Sequence, residues 1–270
     1  MAQQPDRGRS AAAAIERRRQ RPPVVLMYHS ITTSAQDPYR VTVSPRRFEQ
    51  QMHWLACRGL RGVSVATLIG ARLRDCDAGL VGLTFDDGYA DFLRHALPVL
   101  RRHGFSATAF VIAGRLGGVN AWDTLGPRKA LMTAGQLREV AAAGIEIGSH
   151  GLRHVELEHA TDLALRREQL RSRQILQDIT GTGIGGFCYP YGHLDRRVLD
   201  GVQGAGYDYA CAIWPGDLTG RYAIPRTYVG DADGPARLRA KWLRHEVTWL
   251  RARDAGPDFG DARRPLRRSA

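Results

Sequence analysis

Short apolar runs alternating with helical patterns constrain this chain more than any other feature. Eight runs of strand length stand out: 24–28 (VVLMY), 62–65 (GVSV), 80–85 (LVGLTF), 107–112 (ATAFVI), 144–148 (GIEIG), 185–189 (GGFCY), 208–213 (DYACAI) and 222–224. Most are continuous rather than alternating, as expected of strands buried on both faces of a parallel sheet. Helix signals lie between them. Ser44-Pro45 reads as N-cap and first helical residue before FEQQMHWLA, ending near Gly59. Thr133 and Gln136 have capping-box spacing ahead of LREVAAA, and Gly144 stops that helix. Further helices are expected at 161–179, 195–204 and 235–252. The alternation predicts a parallel α/β architecture, a barrel or an open doubly wound sheet.

No internal repeat or low-complexity linker divides the body, so 24–234 is expected to be one domain. Its flanks differ in kind. Residues 1–23 carry six Arg against Asp6 and Glu16, and residues 235–270 carry ten basic residues against four acids. Of the total charge of +12, +4 and +6 therefore sit in the two ends, and the body keeps only +2. The first segment predicts a disordered basic tail, the second a basic helix followed by a loose tail. A nucleic-acid enzyme would carry its basic face on the folded domain, so no specific nucleic acid is expected. Weak binding of the tails to acidic surfaces fits the charge.

No stretch reaches the ~20 apolar residues of a membrane span. The run from Val24 to Tyr28 is shorter than a signal h-region of ~7–15 residues, and Pro22-Pro23 precedes it. The expectation is a cytoplasmic protein, or a secreted one if the start site is misassigned. Cys57, Cys76, Cys188 and Cys211 form no C-x-x-C pair and read as free thiols.

Three strand ends concentrate chemistry. Leu83-Thr84-Phe85-Asp86-Asp87-Gly88 ends a buried strand in two carboxylates and a glycine. Adjacent ionised carboxylates repel, and one ordinarily needs a cation or a raised pKa. A helix-capping turn accounts for one Asp and leaves the other unexplained. Ile147-Gly148-Ser149-His150-Gly151-Leu152-Arg153-His154 places two histidines at i and i+4, which a helix would turn to one side, a spacing suited to a shared metal. Phe187-Cys188-Tyr189-Pro190-Tyr191-Gly192 sets aromatics about a Pro–Gly turn, as packing or as a sugar platform. All three fall at C-terminal ends of predicted parallel strands, the edge where α/β folds assemble active sites. One carboxylate and two imidazoles leave open positions on a divalent ion, and the spare carboxylate can act as base.

With those residues in view, the sequence resembles the NodB-like polysaccharide deacetylase family. Thr84-Phe85-Asp86-Asp87-Gly88 matches its first motif, His150-x-x-x-His154 its second, and Tyr189-Pro190-Tyr191-Gly192 much of its third. Leu26-Met27-Tyr28-His29-Ser30-Ile31 and Ser44-Pro45-x-x-Phe48 resemble the branch that deacetylates poly-N-acetylglucosamine. The resemblance implies a distorted parallel (β/α) barrel of about seven strands and a hydrolase acting on linear amide C–N bonds, freeing acetate from an N-acetylated carbohydrate. It implies Asp86 as base, Asp87, His150 and His154 as ligands of a divalent ion (zinc first, then cobalt, nickel or manganese), and the Tyr191 backbone N–H facing the oxyanion. It also implies an Arg at the start of the third motif, where this chain has Cys188, and a late histidine, where residues 222–229 read YAIPRTYV. His29 is the expected proton donor in its place, or else orients substrate, with Asp86 itself, once it has taken the water proton, as the fallback donor. Tyr189, Pro190, Trp214 and Arg226 are the expected substrate contacts.

Two other classes stay open on sequence grounds. A degenerate carbohydrate-binding member of the fold would fit Cys188 and the missing histidine, and would show no acetate release with metal added. A nucleic-acid binder would fit the pI of 10.2 and would show steeply salt-dependent binding.

Overall fold

The computed structural model describes residues 23–214 and 216–251. The expected tails at 1–23 and 254–270 therefore lie almost entirely outside the described residues.

A single parallel sheet organises the body, in the order β10 (Thr227–Tyr228), β1 (Val25–Tyr28), β5 (Leu80–Phe85), β6 (Thr108–Val111), β7 (Glu146–Ser149), β8 (Gly186–Cys188) and β9 (Tyr209–Cys211). It curls into the distorted (β/α) barrel that the strand–helix alternation predicts. The distortion has a visible origin. Strand β4 (Arg61–Val63) pairs with the first half of β5, Arg61 opposite Leu80, and β6 takes over at Thr84 opposite Thr108. Across the opposite gap, Ile224 bonds β9 through Ala210 and Ala212, and three residues later Thr227 stands opposite Leu26 of β1. The segment 224–228 thus spans the two sheet edges. Sequence reading expected a strand at 222–224 and missed this handover, as it missed the two-residue pair β2 (Ser30–Ile31) with β3 (Thr42–Val43).

The strands are buried because their side chains are apolar on both faces. Inside, Tyr28 stacks on Phe85 at 5.4 Å, and Phe48 and Phe92 meet them edge-on. Burying each such ring contributes about 1.5–3 kcal/mol. Phe48 and Met52 come from the helix Pro45–Ala56, whose buried positions Phe48, Gln51, Met52 and Leu55 recur at helical spacing. Its expected cap departs from the sequence reading. Ser44 makes no cap bond, and its hydroxyl donates to Asp231 at 2.7 Å. The Thr133–Gln136 capping box forms as expected.

The long helix expected at 161–179 is interrupted. Asp162–Arg166 and Ser172–Thr180 are α-helical, and Arg167–Arg171 between them widens into a π turn that buries Glu168 and Gln169. Such π turns gather at functional sites. Here the turn carries Glu168 to the loop that bears the two histidines.

Candidate metal centre

Strand β5 delivers Phe85 into the core and then turns sharply. Asp87 and Gly88 both adopt left-handed backbone, φ 71° and 75°. Consecutive left-handed residues bend the chain tightly, which lets neighbouring carboxylates serve different partners.

Asp86 meets a guanidinium. Arg226 Nη1 donates to Oδ1 at 2.7 Å and Nη2 to Oδ2 at 2.8 Å, a two-pronged pair. Arg226 also donates to Thr84 Oγ1 and to the Ala212 carbonyl, so neighbouring strands fix its fork. Its side chain is 1% exposed. The expectation that Arg226 contacts substrate is therefore corrected: it lies beneath the carboxylate. Cys188 Sγ lies 3.0 Å from Nη2 and 3.6 Å from Asp86 Oδ2. The guanidinium that the family resemblance implies at position 188 comes instead from the segment 224–228, and a thiol fills the place where its own chain would have carried it.

Asp87 faces the imidazoles. Its Oδ1 lies 3.5 Å from His150 Nε2 and 3.4 Å from His154 Nε2. The expected helix between the two histidines is absent. A loop brings them together, through left-handed Gly151 (φ 76°) and His154 (φ 62°). A Cβ on Gly151 would stand 3.0 Å from Glu168 Oε2, the same oxygen that accepts the Leu152 and Arg153 amides at 2.7 and 3.0 Å. Burial of Glu168 thus overrides the i, i+4 spacing and shapes the loop. His150 Nδ1 lies 2.9 Å from the Cys188 carbonyl, which holds the proton on Nδ1 and leaves the Nε2 lone pair toward Asp87.

These three residues fit a divalent cation. All are buried, their donor atoms lie within 4.8 Å of one another, and Asp87 Oδ1 is buried with no hydrogen-bond partner among the described residues. One carboxylate oxygen and two imidazole nitrogens form a donor set suited to zinc or its neighbours. Asp86, His150 and Cys188 are equally close together. There, however, both nitrogens of the guanidinium fork already occupy the carboxylate, and a fixed positive charge opposes a second one.

Electrostatics separates the two aspartates. Burial alone would raise Asp86, but the Arg226 charge overrides it, helped by His150 and His29, and the carboxyl sits well below the usual range. Burial, then the neighbouring Asp86 and Asp123, push Asp87 well above that range. Burial lowers His150 to about 4, and it lowers His154 strongly, with His150 adding to the effect. Two uncharged imidazoles around a carboxylate that resists ionising alone form an arrangement a cation would complete.

The remaining expected residues divide. His29, just past β1, reaches the site, with Nε2 3.9 Å from Asp86 Oδ2. Burial lowers its pKa, with Asp86 opposing. Tyr191 is 41% exposed with φ 59°, its ring edge-on to His154 at 4.5 Å. Trp214 is 73% exposed beyond β9. Tyr189 and Pro190 correct the sequence reading, since both are buried and the Tyr189 hydroxyl donates to the Tyr222 carbonyl. They shape the turn rather than a surface. Sequence reasoning missed Glu168, for which no local signal exists, and Trp122, which stacks on His154 from a loop without periodicity.

The family model for polysaccharide deacetylase matches residues 74–210. A Bacillus subtilis protein described as a polysaccharide deacetylase, YxkH, is 30% identical over 209 residues, covering 76% of this chain and 70% of that one. The poly-β-1,6-N-acetyl-D-glucosamine N-deacetylase of Staphylococcus aureus is 22% identical over 223 residues, 78% of this chain and 75% of its own. Among solved structures, a Streptococcus pyogenes deacetylase complexed with acetate superposes with a TM-score of 0.69 at 23% identity, covering 82% of this chain and 97% of that one. That likeness is one of fold.

Proposed function

Because the chain belongs to the polysaccharide deacetylase family, we propose that it hydrolyses the N-acetyl group of a carbohydrate containing N-acetylglucosamine, with Asp86 as base and a divalent ion, zinc first, at Asp87, His150 and His154. The observation that carries this is the division of labour between adjacent aspartates: one is locked ionised by Arg226, and the other faces two uncharged imidazoles. The ion would supply polarisation of the acetamide carbonyl and acidify the attacking water.

The chain's own groups do the rest. Arg226 holds Asp86 ionised and orients it to take a proton from the attacking water. The Tyr191 amide, at its left-handed turn, donates to the developing oxyanion, a contribution of about 2.7–4 kcal/mol for such donors. His29 Nε2, close to Asp86 Oδ2, receives the proton that Asp86 took from the water and passes it to the departing amine, which returns both groups to their starting state. Water and acetamide become free amine and acetate. The name of the Staphylococcus aureus relative supports an N-acetylglucosamine substrate, and the exposed rings of Tyr191 and Trp214 offer stacking surface for sugar rings. The carbohydrate-binding reading loses one of its two supports, Cys188 in place of an Arg, once a guanidinium is found on Asp86.

Acetate release from N-acetylglucosamine and its oligomers, with Zn2+ or Co2+ added, tests the proposal. Asp86→Asn should lower turnover by about 10^2–10^4 while the ion stays bound. Equal release by wild type and Asp86→Asn would overturn the assignment. His29→Gln should also fall by about 10^2 or more, with unchanged metal content. A wild-type rate would remove His29 from the chemistry.

A further inference from the structure

The two imidazoles of the centre are held in different ways. A ligating histidine ordinarily donates its second ring N–H to a carbonyl or carboxylate, which fixes ring and tautomer. His150 does so, with Nδ1 2.9 Å from the Cys188 carbonyl. His154 does not: its Nδ1 is buried without a well-formed hydrogen-bond partner among the described residues. Its backbone is left-handed at φ 62°, an uncommon state for histidine. Something else must orient the ring.

Two rings enclose it. Trp122 lies face to face with His154, centroids 4.7 Å apart and planes 29° apart, and Tyr191 meets it edge-on at 4.5 Å. Tyr191 is partly exposed, whereas the loop that bears Trp122 is built around the buried side chain of Asn120. Asn120 Oδ1 accepts the Lys129 amide at 2.7 Å, and its Nδ2 donates to the Pro127 carbonyl at 3.2 Å and Asp123 Oδ2 at 3.3 Å. Tyr89, two residues past Asp87, donates its hydroxyl to the same Asp123 oxygen at 3.2 Å. The loop is therefore anchored to the strand end that carries Asp87, and Trp122 is its contact with the opposite ligand.

We propose that Trp122 is the positioning residue of His154, its stacked indole fixing a ring whose Nδ1 finds no well-formed hydrogen bond to another described residue. The inference rests on the metal reading above and concerns ion affinity rather than a chemical step. Partners that orient a ligand are worth 10–100-fold in metal affinity.

Zn2+ affinity of the full chain is measured by competition with a chromophoric chelator, beside tryptophan quenching by Co2+. Trp122→Ala should bind Zn2+ about 10–100-fold more weakly, and Trp122→Phe, which keeps a stacking ring, should stay within about threefold of wild type. Trp122→Phe should also lose most of the Co2+-induced quenching, which Trp214→Phe should retain. Folded Trp122→Ala with wild-type Zn2+ affinity would overturn the proposal, even if its KM rose, because that pattern marks a groove residue only. If Trp122→Ala does not fold, undiminished quenching in Trp122→Phe would overturn it. Failure of wild type to bind any divalent ion would sink the metal reading itself, a distinguishable result.

Discussion

The two ends of the barrel each hold a carboxylate, half-buried at one and buried at the other, and they treat it in opposite ways. Glu146 opens β7 at the end away from the site. Its Oε2 accepts Thr108 Oγ1 at 2.7 Å and the Ala66 amide at 3.1 Å, and its Oε1 accepts the Tyr209 hydroxyl at 2.8 Å. Asp87, at the opposite rim, leaves Oδ1 with no donor among the described residues and points it at two imidazoles. Burial raises both carboxyls. Glu146 is satisfied by neutral donors and closes a structural network. Asp87 is left incomplete, and a native fold tolerates such a deficit where function needs it. The satisfied carboxylate ties strands together, and the unsatisfied one is the ligand proposed above.

Substitution at each end tests that contrast. The largest effect is expected at the rim. Asp87→Ala should abolish stoichiometric Zn2+ binding and lower acetate release by about 10^3 or more, since such an ion contributes several kcal/mol. The metal-free variant should melt close to metal-free wild type, because Oδ1 takes no hydrogen bond among the described residues and only the interaction with Tyr89 is given up. A lower melting temperature would make Asp87 a second Glu146. An intermediate effect is expected for Arg226→Lys, which keeps the charge and loses the fork. Turnover should fall about 10–100-fold with Zn2+ still bound, and an unchanged kcat would show that Asp86 needs no clamp.

The smallest effect on activity is expected at the far end. Glu146→Gln should leave turnover within about twofold of wild type and cost about 1–3 kcal/mol of stability, from donors left imperfectly paired. Its pH dependence sharpens the point. An acid whose pKa is raised by folding binds its proton more tightly in the native state. Its contribution is therefore most favourable below the unfolded value of about 4.3 and declines as pH rises toward the folded pKa. Chemical denaturation across that range should show the Glu146→Gln deficit shrinking with rising pH. A constant deficit would mean that Glu146 is ionised at no cost.

Much of the architecture was legible in the residues themselves. LVGLTF at 80–85 coincides with β5, and the Thr133–Gln136 box forms, because both depend on local pattern. Asp86, Asp87, His150 and His154 could be singled out because a strand that ends in charge is unusual wherever it occurs. The rest depends on contacts distant in sequence. Arg226 bonds a residue 140 positions away, and nothing in YAIPRTYV says that its side chain turns inward. The helix expected across His150 to His154 gives way to a loop because Glu168, 14 positions beyond His154, takes the loop amides. Ser44 looks like a cap and serves Asp231 instead. Local spacing identified the chemical groups, and tertiary contacts decided how each is used.

Anomalous diffraction from crystals grown with Zn2+ would show directly which side chains hold the ion. One ion is expected at about 2.0–2.2 Å from an Asp87 oxygen and from Nε2 of both His150 and His154, with Asp86 outside its shell and still paired to Arg226. An ion bound instead by Asp86 and Cys188, or no ion near Asp87, would contradict that arrangement.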